Sequence, residues 1–290
     1  MDAFLILDKD SGTFSRTAGW RIAKMFGEKK FGHIGTLDPM ASGVLPIAIG
    51  NATKMIPFIE EIQENKKEYL FGLKFGIDTD SLDITGNIKE TNDFIPEDTN
   101  IINACKKISL LTEQIPPIFS AIHVEGKRAY ELARSGTNIE MKPRPITIYE
   151  LEYLGSDKDK TYNFRVVCSR GTYVRSLVRD IAKTCGAIAA TTYIRRTLSN
   201  GFSIKNAVKL DFLENLVNNN AHIEEYLMQP DCALGDIPVI NLADKDVVLY
   251  KNGGFIETGE KDGLYRVYSD KIFVGIGQVT NQTLKPKRTL

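Results

Sequence analysis

GHIGTLDPMASGVLPIAIG, residues 32–50, is the most unusual stretch of this chain. It sets four glycines and one of the three histidines around a single Asp-Pro pair, and an apolar run closes it. Glycines allow a backbone to approach its neighbours closely, and the apolar run indicates a buried element beneath the loop. The pattern predicts a loop between buried elements that presents one carboxylate, Asp38.

Two interpretations of Asp38 stay open on the residues alone. An aspartate before a proline is most often a turn residue, or a helix N-cap with Pro39 at the first helical position. A carboxylate on a glycine-flanked loop is also how a nucleophile or a general base is presented. In the second case the carboxylate needs a partner cation, because burial alone raises its pKa and neutralises it. Arg175, beside the apolar stripe of a later helix, is the candidate.

The segments around this loop predict an α+β fold with a mixed sheet. AFLILDK, residues 3–9, and EYLFGLKFG, residues 68–76, are typical of strands. Helices are expected at SRTAGWRIAKMFG, NIINACKKISLL and TYVRSLVRDIAKTCG, and Ser15 is the expected N-cap of the first. In the third helix the apolar residues recur at helical spacing and form a core-facing stripe of Val174, Leu177, Val178, Ile181, Ala182 and Cys185.

Two domains are expected from the length of 290 residues and from a change of texture near residue 232. Beyond that point, short apolar segments alternate with Asn-Gly and Asp-Gly turns. We therefore expect a mixed-sheet domain over residues 1–232 and a small β-rich domain over residues 233–290.

The composition, 42% hydrophobic and 26% charged residues, is that of an ordinary globular protein. No segment approaches the roughly 18 apolar residues of a membrane span, and the N-terminus lacks the pattern of a secretory signal. A cytoplasmic protein is therefore expected. The four cysteines show no CxxC spacing and the histidines are scattered, so the sequence predicts reduced thiols and no metal-ligand cluster.

Basic residues are concentrated in one part of a chain whose Lys+Arg and Asp+Glu counts are both 37. Residues 165–196 hold seven basic residues against one acid, Asp180, a local net charge of +6: Arg165, Arg170, Arg175, Arg179, Lys183, Arg195 and Arg196. Residues 123–144 hold five basic residues against three acids, a local +2. A neutral protein with one basic face binds a polyanion locally. Charge alone leaves a pair of solvated basic helices equally open.

Longer motifs resemble those of one family. GHIGTLDPMASGVLPIAIGNATK closely resembles the active-site motif of the TruB family of tRNA pseudouridine synthases. The segments KEYLFGLKFGIDTDSLDITG, QIPPIFSAIHVEGKRAYELARSG and CSRGTYVRSLVRDIAKTCGAIAATTYIRRT resemble, in order, its tyrosine-bearing strand and loop, its Pro-Pro and thumb segment, and its second catalytic motif. KIFVGIGQVTNQTLKPKR is similar to its PUA-like appendix. The resemblance runs nearly from end to end.

The resemblance implies an enzyme that isomerises uridine 55 in the T loop of tRNA to pseudouridine. It implies cleavage of the N1–C1′ bond of a flipped-out uridine and rejoining of uracil through C5, without cofactor or metal. The implied fold is a mixed-sheet catalytic domain with an RNA-clamping thumb at about residues 123–144 and a PUA-like C-terminal domain. The T arm of tRNA is the expected partner of a monomer that requires no protein partner. We expect the thumb to be mobile without RNA and to order on binding.

The resemblance also assigns roles to residues. Asp38 matches the essential aspartate, Tyr69 matches the tyrosine that packs on the target base and is a proposed base, and Arg175 matches the arginine that pairs with the aspartate. Tyr173 and Ile194 match walls of the active site.

The implied contacts with RNA come from the loop and from the thumb. His33 matches a residue that contacts the T loop rather than doing the chemistry. Lys9 is carried as a structural match, although the family's Lys-Pro is Lys9-Asp10 here, which loosens the expected turn. In the thumb, the RNA-binding candidates are Lys127, Arg128, Arg134 and Arg144.

Three alternatives compete with this function. A non-catalytic tRNA-binding or folding module on the same scaffold is the main one. A guide-RNA-dependent relative would have a longer chain with basic tails. The DTDS segment, residues 78–81, resembles a phosphatase loop with Asp78 as nucleophile, but a solvated loop is favoured there.

Overall fold

The computed structural model describes residues 1–62, 66–124, 126–135, 137 and 139–290. Glu125, one of the acids counted above, and the side chain of Arg134 lie outside this described part. The α-helices in these residues are α1 (Ser15–Met25), α2 (Ile56–Ile62), α3 (Asp98–Ile108), α4 (Ala129–Arg134), α5 (Val174–Thr184), α6 (Leu210–Asn218) and α7 (Asp244–Lys251). None of the helices so described combines the length and apolar character needed to cross a membrane.

The strands in the same residues fall into several sheets. They are β1 (Ala3–Lys9), β2 (Phe31–His33), β3 (Ser42–Ile49), β4 (Lys67–Phe75), β5 (Ile77–Thr79), β6 (Ile88–Thr91), β7 (Glu113–Gln114), β8 (His123–Val124), β9 (Lys127–Arg128), β10 (Arg144–Pro145), β11 (Ile148–Ser156), β12 (Tyr162–Cys168), β13 (Ala189–Ser199), β14 (Phe202–Ser203), β15 (Val208–Lys209), β16 (Val239–Asn241), β17 (Ile256–Glu257), β18 (Gly263–Ser269), β19 (Ile272–Thr280) and β20 (Thr283–Thr289).

The chain divides into two compact units that differ from the expected domains. One unit comprises residues 1–39, 44–63 and 200–290, and the other comprises residues 40–43 and 64–199. Strand β3 contributes its first two residues to the second unit and the rest to the first. The compact units do not test the predicted domain boundary between residues 232 and 233, which stays a prediction.

The first unit is built on β1, which is buried along its whole length as its apolar sequence predicts. This strand lies between β3 and β15. It pairs with β15 in parallel, Leu7 opposite Val208, whereas β2 pairs with β3 antiparallel, Phe31 opposite Ile49. Parallel and antiparallel pairs thus occur together, as the mixed-sheet prediction requires.

The C-terminal strands form a second sheet in the first unit, in the order β16-β18-β19-β20-β17. One core cluster of this unit joins Phe273 and Ile276 of β19 to Phe4 and Ile6 of β1. The β-rich C-terminus predicted from the turn pattern is therefore confirmed, and it shares a core with the N-terminal strand.

The second unit is a sheet in the order β11-β12-β4-β13 with antiparallel neighbours. The far edge of β13 pairs in parallel with the start of β3, Arg195 opposite Ser42. Helix α5 packs on β13 and β4, and α3 packs on α5 and β11. The predicted stripe of α5 is buried except for Cys185, which is half-buried just after the helix ends.

The N-cap prediction for α1 is wrong. Ser15 is the first helical residue, and Phe14 occupies the N-cap position without a side-chain cap. The hydroxyl of Ser15 is engaged elsewhere, with the backbone of Leu37. The Ser15 side chain therefore bonds to a residue 22 positions away in the chain instead of capping the helix, as local rules would predict.

The basic run at 165–196 is not a solvated basic face. Arg196 and Arg175 are buried. Arg165 is paired with Glu68 and Glu150, and Arg179 is paired with a neighbouring aspartate. A count of charges along the chain overstates the exposed charge, because two of the seven basic residues are buried and two more are paired with carboxylates.

The Arg165 cluster makes stability depend on pH. Burial raises the pKa of Glu68, but hydrogen bonds from Thr197 and Arg165 outweigh it and hold the pKa below its ordinary value. A depressed carboxyl pKa stabilises the fold above the unfolded pKa, and that stabilisation is lost as pH falls through the folded value.

We therefore expect the stability advantage of the wild type over Glu68→Gln to shrink as pH falls below about 4.3, the ordinary glutamate pKa. Urea unfolding of both proteins between pH 7 and pH 3 measures it, with Glu90→Gln, an exposed strand position, as control. An advantage that stays constant over this range would contradict the prediction.

Candidate active site

The loop that carries Asp38 is held from the side of Leu37 by α1. The hydroxyl of Ser15 donates to the carbonyl of Leu37 at 2.9 Å and accepts from its amide at 3.0 Å. Both Ser15 and Leu37 are buried. The residue before Asp38 therefore has its two backbone hydrogen-bonding groups satisfied by one side chain.

The same loop is held from the side of Pro39. The carbonyl of Pro39 accepts from the amide of Gly12 at 2.8 Å and from the ammonium of Lys9 at 3.4 Å. Asp38 itself is half-buried between these two anchored residues. No helix begins at Pro39: Pro39 and Met40 form a turn, and β3 begins at Ser42 after one further residue. The turn interpretation of the Asp-Pro pair is thus right about local structure and compatible with a presented carboxylate.

Lys9 is buried, and its ammonium also donates to the carbonyls of Asp10 and Thr13, at 2.9 and 2.7 Å. These bonds give Lys9 a structural part in the loop, and contact with RNA stays a prediction. The expected loosening by Asp10 is offset here, because the Asp10 carboxylate is ion-paired with Lys209.

The glycines of the opening motif serve close approaches. Gly43 has φ +100°, and a Cβ there would overlap the backbone carbonyl of Arg196 on the neighbouring strand β13. A Cβ at Gly32 would lie 2.8 Å from Cδ1 of Ile56. The loop of Asp38 is thus flanked by points where the backbone is pressed against other elements. His33, half-buried beside it, has Nε2 3.0 Å from the hydroxyl of Thr36.

Removing the Ser15 clamp is expected to impair both catalysis and folding. Two hydrogen bonds worth about 1 kcal/mol each hold the loop, so Ser15→Ala should lower the turnover rate by roughly tenfold to a hundredfold. Turnover of a T-arm RNA and urea unfolding measure the two effects. Thr17→Ala, an exposed hydroxyl on the same helix, is the control. Wild-type turnover by Ser15→Ala would show that the clamp does not position Asp38.

In the second unit, Tyr69 and Ile194 lie on one face of the sheet. Tyr69 on β4 is 8% exposed, and Arg196 of β13 is directly opposite it in the antiparallel register. Ile194 is buried and opposite Phe71, two residues along β4. Because residues two apart share a face, the tyrosine and the isoleucine border the same patch.

Arg175 is buried in α5, 4% exposed, and its bonds within this unit are specific. Its guanidinium donates to the carbonyls of Ser81 and Phe119, both at 2.9 Å, and lies 3.8 Å from the carboxylate of Asp83. Asp83 is buried as well. The pairing of Arg175 with Asp38 stays a prediction.

The favoured solvated loop at residues 78–81 needs correction. Thr79 is buried and its hydroxyl donates to the carbonyl of Asp83 at 2.8 Å. Ile84 and Leu82 exchange backbone hydrogen bonds with Thr191 of β13. The loop is therefore attached to the sheet and supplies a carboxylate and a carbonyl to Arg175.

Tyr173, the residue before α5, is held by Gln114. The Gln114 amide oxygen accepts from the Tyr173 amide at 2.8 Å, and its nitrogen donates to the Tyr173 carbonyl at 3.3 Å. Gln114 is buried and pairs in register with Arg144, one of the thumb candidates. The end of the predicted thumb is thus joined through one side chain to a predicted wall residue.

The thumb segment has a small core of its own and an exposed basic surface. Ala129, Ile139 and Met141 form the buried cluster. Lys127 and Arg128 are exposed on β9, which pairs with β8. Residues 125, 136 and 138 of the segment lie outside the described part.

The cysteines offer no reactive thiolate. Burial raises the pKa of the Cys105, Cys168 and Cys232 thiols to about 12, so they stay protonated near neutral pH. Among the residues that the structure describes, no group of three or more His, Cys, Asp or Glu is arranged to hold a metal ion.

Sequence reasoning missed four residues of this arrangement: Ser15 as a loop clamp, Asp83, Gln114 and Arg196. Each lies within or next to one of the quoted segments, but its role depends on Leu37, Arg175, Tyr173 or Tyr69, far away in the chain. The glycines of the opening motif, Gly32 and Gly43 among them, predicted close approaches without identifying which elements approach.

Two family models match the chain. "TruB family pseudouridylate synthase (N terminal domain)" matches residues 23–174, and "Pseudouridine synthase II TruB, C-terminal" matches residues 238–290. Relatives named tRNA pseudouridine synthase B include that of Caulobacter vibrioides, 39% identical over 87% of this chain and 80% of the relative. That of Francisella philomiragia is 37% identical over 99% of this chain and 94% of the relative. That of Clostridium kluyveri is 37% identical over 96% and 95%.

Solved structures show the same fold at lower identity. A crystal structure of a Cbf5-Nop10-Gar1 complex matches with a TM-score of 0.70 and 23% identity, over 99% of this chain and 84% of that one. A structure of an H/ACA RNP bound to a substrate RNA containing 2'-deoxyuridine matches with a TM-score of 0.68 and 22% identity, over the same shares. The predicted α+β fold is thereby confirmed.

Proposed function

The chain belongs to the TruB family of pseudouridylate synthases, and from this we propose that it isomerises uridine 55 in the T loop of tRNA to pseudouridine. The observation that carries the proposal is the identity of 37% over 99% of the chain with a relative named tRNA pseudouridine synthase B. The intact candidate set of Asp38, Tyr69 and Arg175 supports turnover rather than a binding scaffold that has lost its chemistry.

The reaction suits the side chains present. The N1–C1′ bond breaks, uracil turns, and C5 joins C1′, with the C5 proton lost and a proton gained at N1. Nothing is oxidised or reduced and no second substrate enters, so carboxylate, arginine and tyrosine groups suffice.

Asp38 is the essential carboxylate in this proposal. Its attack on C1′, removal of a proton after bond cleavage, and addition to the uracil ring are all compatible with its place. The anchoring of Leu37 and Pro39 supports the role, because a carboxylate that reacts must be held within a fraction of an ångström of its target.

Tyr69 and Ile194 supply the walls that keep free uracil from leaving, and Tyr173 is proposed as a third wall residue. The wall role of Tyr69 and Ile194 is supported by their burial on one face of the β4–β13 pair. Arg175 is the proposed cationic partner of the Asp38 carboxylate. His33 contacts the T-loop RNA.

The partner is tRNA, and the exposed cations of the thumb bind its phosphates. Flipping the uridine out costs a few kcal/mol, which contacts with phosphate groups offset. Lys127 and Arg128 on β9, with Arg144 and Arg134, are the proposed donors. The enzyme works as a monomer in the cytoplasm, without a protein partner, and the thumb orders on binding.

A double substitution, Lys127→Gln with Arg128→Gln, is expected to weaken tRNA binding and to reduce the salt slope by about 2, one unit for each lost phosphate contact. The test is to measure binding isotherms at salt concentrations from about 50 to about 300 mM and to compare the slopes of log K against log salt concentration. Lys158→Gln, an exposed lysine at a hairpin tip, is the control. An unchanged slope would remove β9 from the RNA interface.

The function itself is tested with a T-arm minihelix that carries tritium at C5 of the target uridine. Release of tritium by the wild type in EDTA establishes pseudouridine formation without a divalent metal. Tight RNA binding without release would favour the alternative, a non-catalytic tRNA-binding or folding module.

A further inference from the structure

Arg196 is a buried cation that the proposed mechanism does not use. It is 0% exposed and heads the fully buried side chains by volume. Removing a guanidinium from water is costly unless hydrogen bonds and charge partners compensate. Burial accordingly lowers the pKa of Arg196, while a hydrogen bond with Tyr69 and its electrostatic interaction act in the opposite direction.

The strand register places this arginine against the tyrosine. Arg196 and Tyr69 are directly opposite each other in the antiparallel β4–β13 pair. Side chains of directly opposed residues point to the same face of a sheet and have Cβ atoms about 5 Å apart. The Arg196 guanidinium and the Tyr69 phenol group are therefore on the same face of the sheet and within reach of each other.

The backbone of Arg196 is held closely between two neighbouring strands. On its other edge β13 pairs in parallel with β3, Arg196 opposite Gly43. A Cβ at residue 43 would overlap the Arg196 carbonyl, so only glycine permits this approach. Immediately after Arg196 the β4–β13 register shifts, before Leu198. The arginine thus stands at the last regular pair before an irregularity, between two strands.

The chemistry of the two groups sets the direction of their hydrogen bond. A guanidinium has five donors and no acceptor. The Tyr69 oxygen must therefore accept from Arg196, and the tyrosine's own O–H proton must point in another direction. A charge-assisted bond of this kind is about twice as strong as a neutral one, which restricts rotation of the hydroxyl.

We propose that Arg196 is a positioning residue that holds the Tyr69 oxygen as an acceptor and thereby aims the Tyr69 hydroxyl proton at the bound uridine. The inference rests on the proposed function, because it deepens the part of Tyr69 in that reaction. Arg196 touches no substrate in this scheme and acts only through the tyrosine.

A double-mutant cycle between Arg196→Met and Tyr69→Phe tests the inference. The rate of tritium release is measured in single turnovers with enzyme in excess, together with tRNA affinity and urea unfolding. We expect Arg196→Met to lower the rate by roughly a hundredfold, as loss of an oriented hydrogen bond does, with tRNA affinity within about threefold. In the Tyr69→Phe background the same change should lower the rate less than about threefold, because the hydroxyl it orients is absent.

Equal losses in the two backgrounds would overturn the proposal, since a purely structural arginine acts independently of the hydroxyl. So would a wild-type rate for Tyr69→Phe, which would leave pseudouridine formation itself standing. Failure of the wild type to release tritium is a different result and removes the proposed function first.

Two further variants guard against loss of folding. Arg196→Lys keeps a buried cation and a donor, and replaces the methionine variant in the cycle if that protein does not fold. We expect its rate to lie between those of the wild type and Arg196→Met. Arg195→Met changes the neighbouring arginine, which pairs opposite Leu70 and points to the other face, and should stay within about threefold of the wild-type rate.

Discussion

Asp38→Asn is expected to lower the rate of pseudouridine formation by about a thousandfold or more, as loss of an essential nucleophile or general base does. The hydrogen bonds that hold the loop come from the backbones of Leu37 and Pro39. Asparagine has the size of aspartate and leaves those bonds in place. Stability and tRNA affinity should therefore stay close to those of the wild type.

Tritium release from the minihelix in single turnovers measures the loss, and binding isotherms with the same RNA measure affinity. Asp159→Asn, an exposed carboxylate in a hairpin turn, is the matched control and should keep the wild-type rate. Substantial release by Asp38→Asn would remove the carboxylate from the chemistry, whatever the rest of the site does.

Arg175→Met is expected to destabilise the protein by about 3–5 kcal/mol, the cost of leaving a buried charge without its partner. The substitution removes the guanidinium 3.8 Å from the buried Asp83 carboxylate, which keeps its hydrogen bonds from the amide and hydroxyl of Thr85. It also leaves the carbonyls of Ser81 and Phe119 without their donor. The loop that holds Asp83 is attached to β13, so it cannot turn its carboxylate to solvent without breaking backbone bonds. Urea unfolding measures the loss, and tritium release is expected to fall with it.

The double variant Arg175→Met with Asp83→Asn separates charge from packing. If the buried charge of Asp83 without its cation carries most of the penalty, the double variant should be more stable than Arg175→Met alone. Arg179→Met, on the same helix and half-exposed beside Asp180, should cost less than about 1 kcal/mol, as exposed pairs do. Equal destabilisation at 175 and 179 would show that burial of the ion pair is not what matters.

The sequence patterns that predicted structure correctly were local ones, formed by residues a few positions apart. Helix α5 followed from apolar residues three and four apart, and β1 from an unbroken apolar run. Both patterns arise because a helix or strand repeats its geometry every few residues. The motif around Asp38 was equally local: a carboxylate flanked by glycines on a loop, before a buried strand.

Charge counts were a poorer guide, for a physical reason. Arginines that are near in sequence were counted together, but Arg165 faces Glu68 on a neighbouring strand and Arg196 faces Tyr69. Exposure and pairing are properties of surfaces that form only when strands assemble. The exposed cations of the thumb could be named from the sequence, and the buried ones among the seven could not.

Periodicity and residue type were enough to predict the fold class and most of the elements, and they singled out Asp38 as the candidate carboxylate. Only the tertiary structure decided that Ser15 clamps Leu37, that Gln114 holds Tyr173, and that Arg196 meets Tyr69. The partners in each pair are separated by 22, 59 and 127 residues, distances over which no local pattern survives. Such contacts follow from strand register and packing, which bring remote side chains onto one face.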